Sequence, residues 1–307
     1  MDNRFLPPKQ FLDSPAAMSP AWNGEEAAAY TRWLATRHYE NFQVVSFLLP
    51  KRLHQDFYNV YAFCRWADDL GDEIGDTTES LRLLGWWREE LEDMYRGAVR
   101  HPVFVALAAT VERHCLPAAP FTDLIRAFEQ DQRVTRYESF ASLFEYCRYS
   151  ANPVGRLVLC LCGYTDPELQ RLSDATCTAL QLANFWQDVS VDWRKDRVYL
   201  PQELLRRHGS SDDDIRAGRA TPGFRAALRE ATGVARQLFR EGLPLAAKVD
   251  RRLALDLDLF SRGGLRVLDK IERQDYDVLT RRPAISKTER AALLLASLAR
   301  MAWRRAA

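Results

Sequence analysis

An all-α fold in a single domain is predicted for this chain by three features of its sequence. Apolar residues recur three and four positions apart through nearly its whole length, the spacing that lines one face of a helix. Capping residues, prolines and glycines divide that pattern into segments of helical length. No stretch alternates apolar and polar residues as a half-buried strand would, and no internal repeat is present. Hydrophobic residues make up 47% of the 307 and charged residues 28%, enough apolar material for a sizeable core and too much for a disordered chain.

The first 22 residues are broken by Pro7, Pro8, Pro15 and Pro20 and lack the charged-then-apolar pattern of an export signal. They are expected to form a loose tail, leaving 23–307 as the domain. Asn23 and Glu26 make a capping box for a helix reaching about 38. Residues 39–50 are too short and mixed a stretch to assign. Pro50 opens a helix to about 73, which Gly75 and Asp76 break. Thr78 can cap a helix to about 96, with Trp86, Trp87, Leu91 and Tyr95 on its buried side, and Gly97 ends it. Helical patterns follow at 101–114 and 120–132, then at 138–163 with a kink at Asn152-Pro153. Thr165 with Glu168 reads as a capping box, with Pro167 in the first turn, for a long helix that ends in a charged loop closing at Pro201. A short helix to about 208 precedes the polar 209–222 stretch, expected to be a surface loop or lid. Helices at 222–249, 250–274 and 285–304 complete the chain.

Several function classes drop out. A net charge of +1 and the lack of a basic, aromatic-interleaved stripe exclude a nucleic-acid partner. Six cysteines without a Cys-x-x-Cys pair read as reduced core residues of a cytoplasmic protein. His38, His54, His101, His114 and His208 lack paired spacing and read as structural or surface residues. No apolar run is long enough to span a bilayer. Leu293, Leu294 and Leu295 with Arg300, Trp303, Arg304 and Arg305 form a weak amphipathic pattern, compatible with peripheral contact at the inner membrane.

Chemistry concentrates in two acidic rows. Gln181, Asn184, Asp188 and Asp192 follow one another at spacings of three, four and four, which stacks them on one face of the long helix. The row covers on the order of 16 Å of helix at 1.5 Å per residue. Leu180, Leu182, Ala183, Phe185, Trp186 and Val189 surround it, so the helix is expected to be buried. Upstream, Asp68 and Asp72 lie one turn apart, with Asp69 beside them and Arg65 one turn before. Carboxylates so placed repel one another and need a counter-charge. Oxygen donors from two helices suit Mg²⁺, whose remaining positions go to water and to phosphate oxygens, so a Mg²⁺-bridged diphosphate is expected. No Gly-rich dinucleotide fingerprint is present, and no NADPH requirement is expected.

Asp68-Asp69-Leu70-Gly71-Asp72, the Gln181 to Asp192 row and Arg197-Val198-Tyr199-Leu200-Pro201 together resemble the trans-isoprenyl diphosphate synthases of the squalene/phytoene synthase family, from about Tyr39 to Val278. The resemblance implies a terpenoid-synthase helical bundle with a central active-site cavity. It implies that Asp68, Asp69, Asp72, Asn184 and Asp188 serve Mg²⁺ with Asp192 as auxiliary, that Arg65, Tyr199 and Gln181 contact the prenyl diphosphate, and that Tyr146 faces the reacting carbocation. Phe42, Phe47, Tyr61, Phe185 and Trp186 are further candidates for an aromatic lining, each also suited to ordinary core packing.

Departures from the family pattern narrow the expectation. Tyr39-Glu40-Asn41-Phe42 stands where relatives that condense two prenyl diphosphates carry Ser-Lys-Ser-Phe or Ser-Arg-Ser-Phe, and Gln187 stands where they carry arginine. Ser150-Ala151-Asn152-Pro153-Val154-Gly155 replaces a small-residue kink, and Gly264 replaces a tyrosine. Two lost cations fit a single diphosphate, and the variant motifs resemble the hydroxysqualene synthase branch of bacterial squalene and hopanoid biosynthesis. Such an enzyme breaks the carbon–oxygen bond of presqualene diphosphate in a lyase-type step and installs water, taking its substrate from a presqualene diphosphate synthase. Glu40, Asn41, Gln187 and Asn152 are the polar candidates for holding that water. The competing readings are a squalene, presqualene diphosphate or phytoene synthase, another class I terpene cyclase, and a non-catalytic assembly factor. Assembly factors of the family lose the aspartates that this chain keeps.

Overall fold

The structure, a computed structural model, describes residues 4–14, 22–37 and 50–303. Among them every regular element is a helix, apart from an isolated bridge between Arg136 and Val198. The chain forms two compact units, Met1–Arg133 with Arg156–Thr165, and Val134–Gly155 with Asp166–Ala307.

In the first unit Gly24–Arg37, His54–Asp72, Thr77–Tyr95, Pro102–His114 and Ala119–Asp131 are the long helices. Phe57, Val60, Phe63, Trp66, Ala67 and Leu70 recur three and four apart along His54–Asp72, and all are buried. Trp66 stacks on Trp87 at 5.2 Å, and the His101 ring stands edge-on to both, at 4.4 and 5.0 Å. His101 caps Pro102–His114 by accepting the Val103 N–H on Nδ1, which leaves the ring proton on Nε2 among the aromatic faces. Burial pushes this imidazole down to about 3, so it is neutral at any physiological pH. A buried polar spine joins three helices. The Asn59 amide accepts from Thr31 and Gln55 and donates to the Ala106 carbonyl and Thr110, while Asp56 accepts from Thr110 and Arg113 and pairs with His114. The sequence predicts a loose tail here, yet Phe11 is buried 5.2 to 5.8 Å from His101, Trp66 and Tyr30, and the Tyr30 hydroxyl donates to the Leu6 carbonyl. Phe5, Leu6 and Phe11 sit among prolines with no helical period, so nothing local announces that anchorage.

In the second unit the Pro167–Asp192 helix packs against Pro222–Gly242 and Arg251–Arg273. Trp186 is fully buried there and donates its indole N–H to the Ala231 carbonyl. Close approach depends on glycines, Gly264 and Gly155 among them. A Cβ at Gly264 would overlap the Phe239 ring, and one at Gly155 would overlap Ser173 and Cys177. The expected kink is present: one helix ends at Ser150, the next begins at Asn152, and the buried Asn152 side-chain amide oxygen accepts from the Thr178 hydroxyl at 2.9 Å.

Three local expectations need correction. Asp166, not Thr165, caps the long helix through the Glu168 N–H, because Pro167 takes the first helical position and leaves the residue before it extended. Asp76, not Thr78, caps Thr77–Tyr95. Residues 209–222 hold a small helix, Asp212–Arg216, capped by Ser211 and tied down by Ser210 and Thr221 donating to Asp214. All six cysteines are free as expected, but Cys115 is exposed and only Cys147 is fully buried. No helix of the described residues is long and apolar enough to cross a membrane.

Asp256, on Arg251–Arg273, is buried, and neither of its carboxyl oxygens has a hydrogen-bond partner. Burial, reinforced by Asp250, pushes this carboxyl up to about 8. The folded state therefore binds the proton more tightly than the unfolded chain, whose aspartate titrates at about 4, so stability is highest below that value and falls as pH rises through about 8. Asp256→Asn is expected to flatten that decline. Melting temperatures of the two proteins between pH 5 and about 8.5 test this, and parallel curves would assign the alkaline loss to other groups.

Candidate active site

The first acidic row occupies the last turns of His54–Asp72. Asp69 points inward with a side chain only 7% exposed, whereas Asp68 is 47% exposed and Asp72 half-buried. Arg65, one turn earlier, pairs with Asp69 through one guanidinium nitrogen and lies 3.5 Å from Asp68 through the other. Burial drives the Asp69 carboxyl up against the opposing pull of Arg65, so Asp69 and Arg65 form a partly buried pair while Asp68 and Asp72 keep accessible faces. Tyr61 lies one turn before Arg65, half-buried, its hydroxyl also pushed up by burial.

The second row was expected to be buried and is not. Asn184 is exposed, and Gln181, Asp188 and Asp192 are partly exposed, forming the open stripe of a helix whose other faces are covered. Asp188 is gripped by both Nε and Nη2 of Arg282, a fork-to-carboxylate pair of the strong, oriented kind. Burial, followed by the charge of Asp188, pushes the Asp192 carboxyl up to about 7. Gln187 faces away from the row: it is buried and donates its amide to the Pro283 carbonyl. Asn152 is likewise committed, to Thr178.

Four rings form a sheaf beside this row. Phe185 and Tyr199 stack at 3.7 Å and 6°, Tyr137 stacks on Tyr199 at 5.7 Å, and Tyr146 lies 5.3 Å from Tyr137 and 6.2 Å from Phe185. All four are buried. The Arg197 to Pro201 strap is positioned by the Val198 N–H donating to the Thr135 carbonyl, and by Arg136, which binds Asp196 and Asp212 and lies over Trp193. Tyr137, Arg136 and Arg282 carried no signal in the sequence, because each reaches the site from a distant part of the chain. Glu40, Asn41, Phe42 and Phe47 lie outside the described residues.

Oxygen donors alone line the two rows, which is the chemistry of a hard divalent cation. Among the described residues no three His, Cys, Asp or Glu side chains gather into a metal cluster. Guanidinium groups stand on Asp69 and Asp188, and Asp192 is pushed toward neutrality beside Asp188. The side chains of each row thus call for positive charge, and their oxygen donors are of the kind that suits a hard divalent cation.

The squalene/phytoene synthase family model matches residues 35–289. The chain belongs to the squalene/phytoene synthase family. The phytoene synthase of Thermus thermophilus is 37% identical over 285 residues, covering 92% of this chain and 94% of that protein. Chloroplastic phytoene synthase 1 of Arabidopsis thaliana is 31% identical, and the chain spans 64% of its length. Among solved structures, squalene synthase HpnC from Alicyclobacillus acidocaldarius is 46% identical with a TM-score of 0.78, over 81% of this chain and 94% of that one. A dehydrosqualene synthase in complex with ligand superposes with a TM-score of 0.81 at 25% identity, over 90% and 97%. The all-α terpenoid-synthase fold expected from the motifs is therefore the fold of this family member, and the family's enzymes act on prenyl diphosphates, in general with a divalent metal.

Asp188 is partly exposed and its ion pair with Arg282 half-exposed, so loss of the pair is expected to cost at most about 1 kcal/mol of stability. Asp68→Ala and Asp188→Ala should each abolish turnover of a prenyl diphosphate with little change in melting temperature. Parallel loss of fold and activity would instead assign these aspartates to the scaffold.

Proposed function

We propose that this protein converts presqualene diphosphate and water to hydroxysqualene and inorganic diphosphate. The observation that carries this reading is the 46% identity with squalene synthase HpnC, alongside acidic rows that retain every expected oxygen donor. Asp68, Asp72, Asn184 and Asp188, with Asp192, would hold Mg²⁺, whose bound charge acts as Lewis acid toward the leaving diphosphate. Arg65, Gln181 and Tyr199 orient that diphosphate. The carbon–oxygen bond breaks with its electron pair leaving on diphosphate, a water oxygen then bonds to the carbocation, and the proton departs to solvent. Tyr146 borders the cation, and an aromatic face contributes about 0.5–2 kcal/mol to a desolvated cation.

Four polar residues are the candidates for holding the attacking water. Gln187 donates its amide to the Pro283 carbonyl and Asn152 accepts from Thr178, while Glu40 and Asn41 lie outside the described residues. Exposed Leu294, Leu295 and Leu298 on Lys287–Trp303 support a peripheral contact with a lipid surface, where a presqualene diphosphate-forming partner could hand over so apolar a substrate.

A phytoene synthase is the second reading, favoured by the Thermus thermophilus relative. Product analysis separates the two. Purified protein with Mg²⁺ should give hydroxysqualene from presqualene diphosphate without NADPH, and nothing from geranylgeranyl diphosphate. Phytoene from geranylgeranyl diphosphate would establish the second reading, and squalene appearing only with NADPH would establish a reductive squalene synthase.

A further inference from the structure

The last turn of His54–Asp72 is an unfavourable place for carboxylates, because a helix C-terminus carries partial negative charge, yet Asp69, Asp72 and the capping residue Glu73 gather there with no basic residue in that turn. Arg65, one turn earlier, is taken by Asp69 and lies 3.5 Å from Asp68. The carbonyls of a last turn also lack partners within their own helix. Two of them are met from outside. The Gln132 side chain donates to the Gly71 carbonyl at 2.9 Å, and Lys9 reaches across from 64 residues upstream to donate to the Glu73 carbonyl at 3.0 Å. Lys9 supplies the cation that the turn itself lacks.

The position of Lys9 is fixed from within a core. It lies in the short helix Pro8–Leu12, whose Phe11 is buried edge-on to Trp66 at 5.4 Å. Just before that helix the Leu6 carbonyl accepts from the Tyr30 hydroxyl, which in turn accepts from the Trp66 indole N–H, each at 3.0 Å. Arg4 fastens the other end of the segment, on Glu26 at 2.8 Å and over the Trp22 ring. Residues 4–14 therefore grip the acidic helix at Trp66 and at Glu73, two turns apart, and Asp68, Asp69 and Asp72 lie between the two grips. The segment stands ahead of residues 35–289, which the family model matches.

We propose that residues 4–14 form a strap that positions the first acidic row for a divalent ion, with Lys9 and Phe11 as its positioning residues. Phe11 and Leu6 hold the helix at Trp66, Lys9 holds its end, and the turn between stays wound, which keeps the Asp68 and Asp72 carboxylates one turn apart. Without the strap the turn frays, since repulsion among its carboxylates acts together with the helix dipole. Lys9 has two opposing effects on an incoming cation: its charge repels the ion, and its hold on the turn orders the ligands in advance. Its hydrogen bond is exposed, so solvent screens the charge and the ordering effect dominates. The use of the strap rests on the assignment of Asp68 and Asp72 to a metal made above, whereas its hold on the turn stands on the contacts with Trp66 and Glu73.

Backbone hydrogen exchange and Mn²⁺ binding followed by electron paramagnetic resonance, both on the full-length protein without substrate, test the strap. Lys9→Gln is expected to speed exchange of the Asp69 to Glu73 amides about two- to fivefold and to weaken Mn²⁺ binding by a similar factor. Lys9→Arg keeps the charge and the donor, and should restore both. Phe11→Ala should weaken Mn²⁺ binding further. Melting temperatures report whether each variant is folded; Lys9 is exposed, so its two variants carry the test alone if Phe11→Ala does not fold. Mn²⁺ binding that is unchanged or tighter in Lys9→Gln would overturn the positioning role, and unchanged exchange would overturn the hold on the turn. Asp68→Ala tells that failure from a failure of the metal assignment: if it leaves Mn²⁺ binding unmoved, the assignment falls, and exchange in Lys9→Gln alone decides the strap. Neither measurement needs turnover, so a protein inactive on presqualene diphosphate would sink the proposed reaction and leave this inference standing.

Discussion

Like-charged carboxylates set one turn apart on a helix cannot be covered by apolar neighbours unless something positive is brought to them. Both acidic rows meet that constraint with arginine. On His54–Asp72 the counter-charge is local, since Arg65 lies on the same helix as Asp68 and Asp69. On Pro167–Asp192 it arrives from 94 residues downstream, as Arg282. Asp192 has no ion pair of its own among the described residues, and its carboxyl is the one pushed up to about 7. An arginine that stands on such a carboxylate keeps it oriented, at the cost of having to leave when a cation binds.

The same pairing organises the chain around it. Gln187 and Arg282 hold neighbouring points of one segment, the first through the Pro283 carbonyl and the second through Asp188, so the 281–284 stretch is fastened to the long helix. Behind the row, Trp186 is locked on Ala231 and Phe239 fills the space beside Gly264. The aromatic volume beside that glycine thus comes from a different helix, Pro222–Gly242. The open stripe of polar groups is consequently mounted on a helix whose remaining faces cannot shift independently.

Much of this was legible before any tertiary structure was known. The helices, the Asn23 capping box, the kink at Asn152-Pro153 and the two rows depend on relations between residues at most a few positions apart, and such relations are written into the spacing. Where the local reading failed, a neighbouring residue competed for the same role. Asp166 displaced Thr165 and Asp76 displaced Thr78, because the cap goes to the acceptor whose backbone is already extended. Polarity alone predicts a loop for the 209–222 segment, whereas its short helix is stabilised by side chains that close back on Asp214.

The sequence by itself determined the all-α class, the two oxygen-donor rows and the family to which they point. Tertiary structure alone decided that Phe11 enters a core, that Tyr137 joins Tyr146, Phe185 and Tyr199, that Gln187 turns away from the acidic row, and that Arg282 stands on Asp188. The division has a physical cause. Helical periodicity and capping are short-range effects that each segment expresses wherever it lies, whereas the partner of a buried ring or a half-buried charge is chosen by where the chain returns in space, and that choice leaves no periodic trace in the residues that make it.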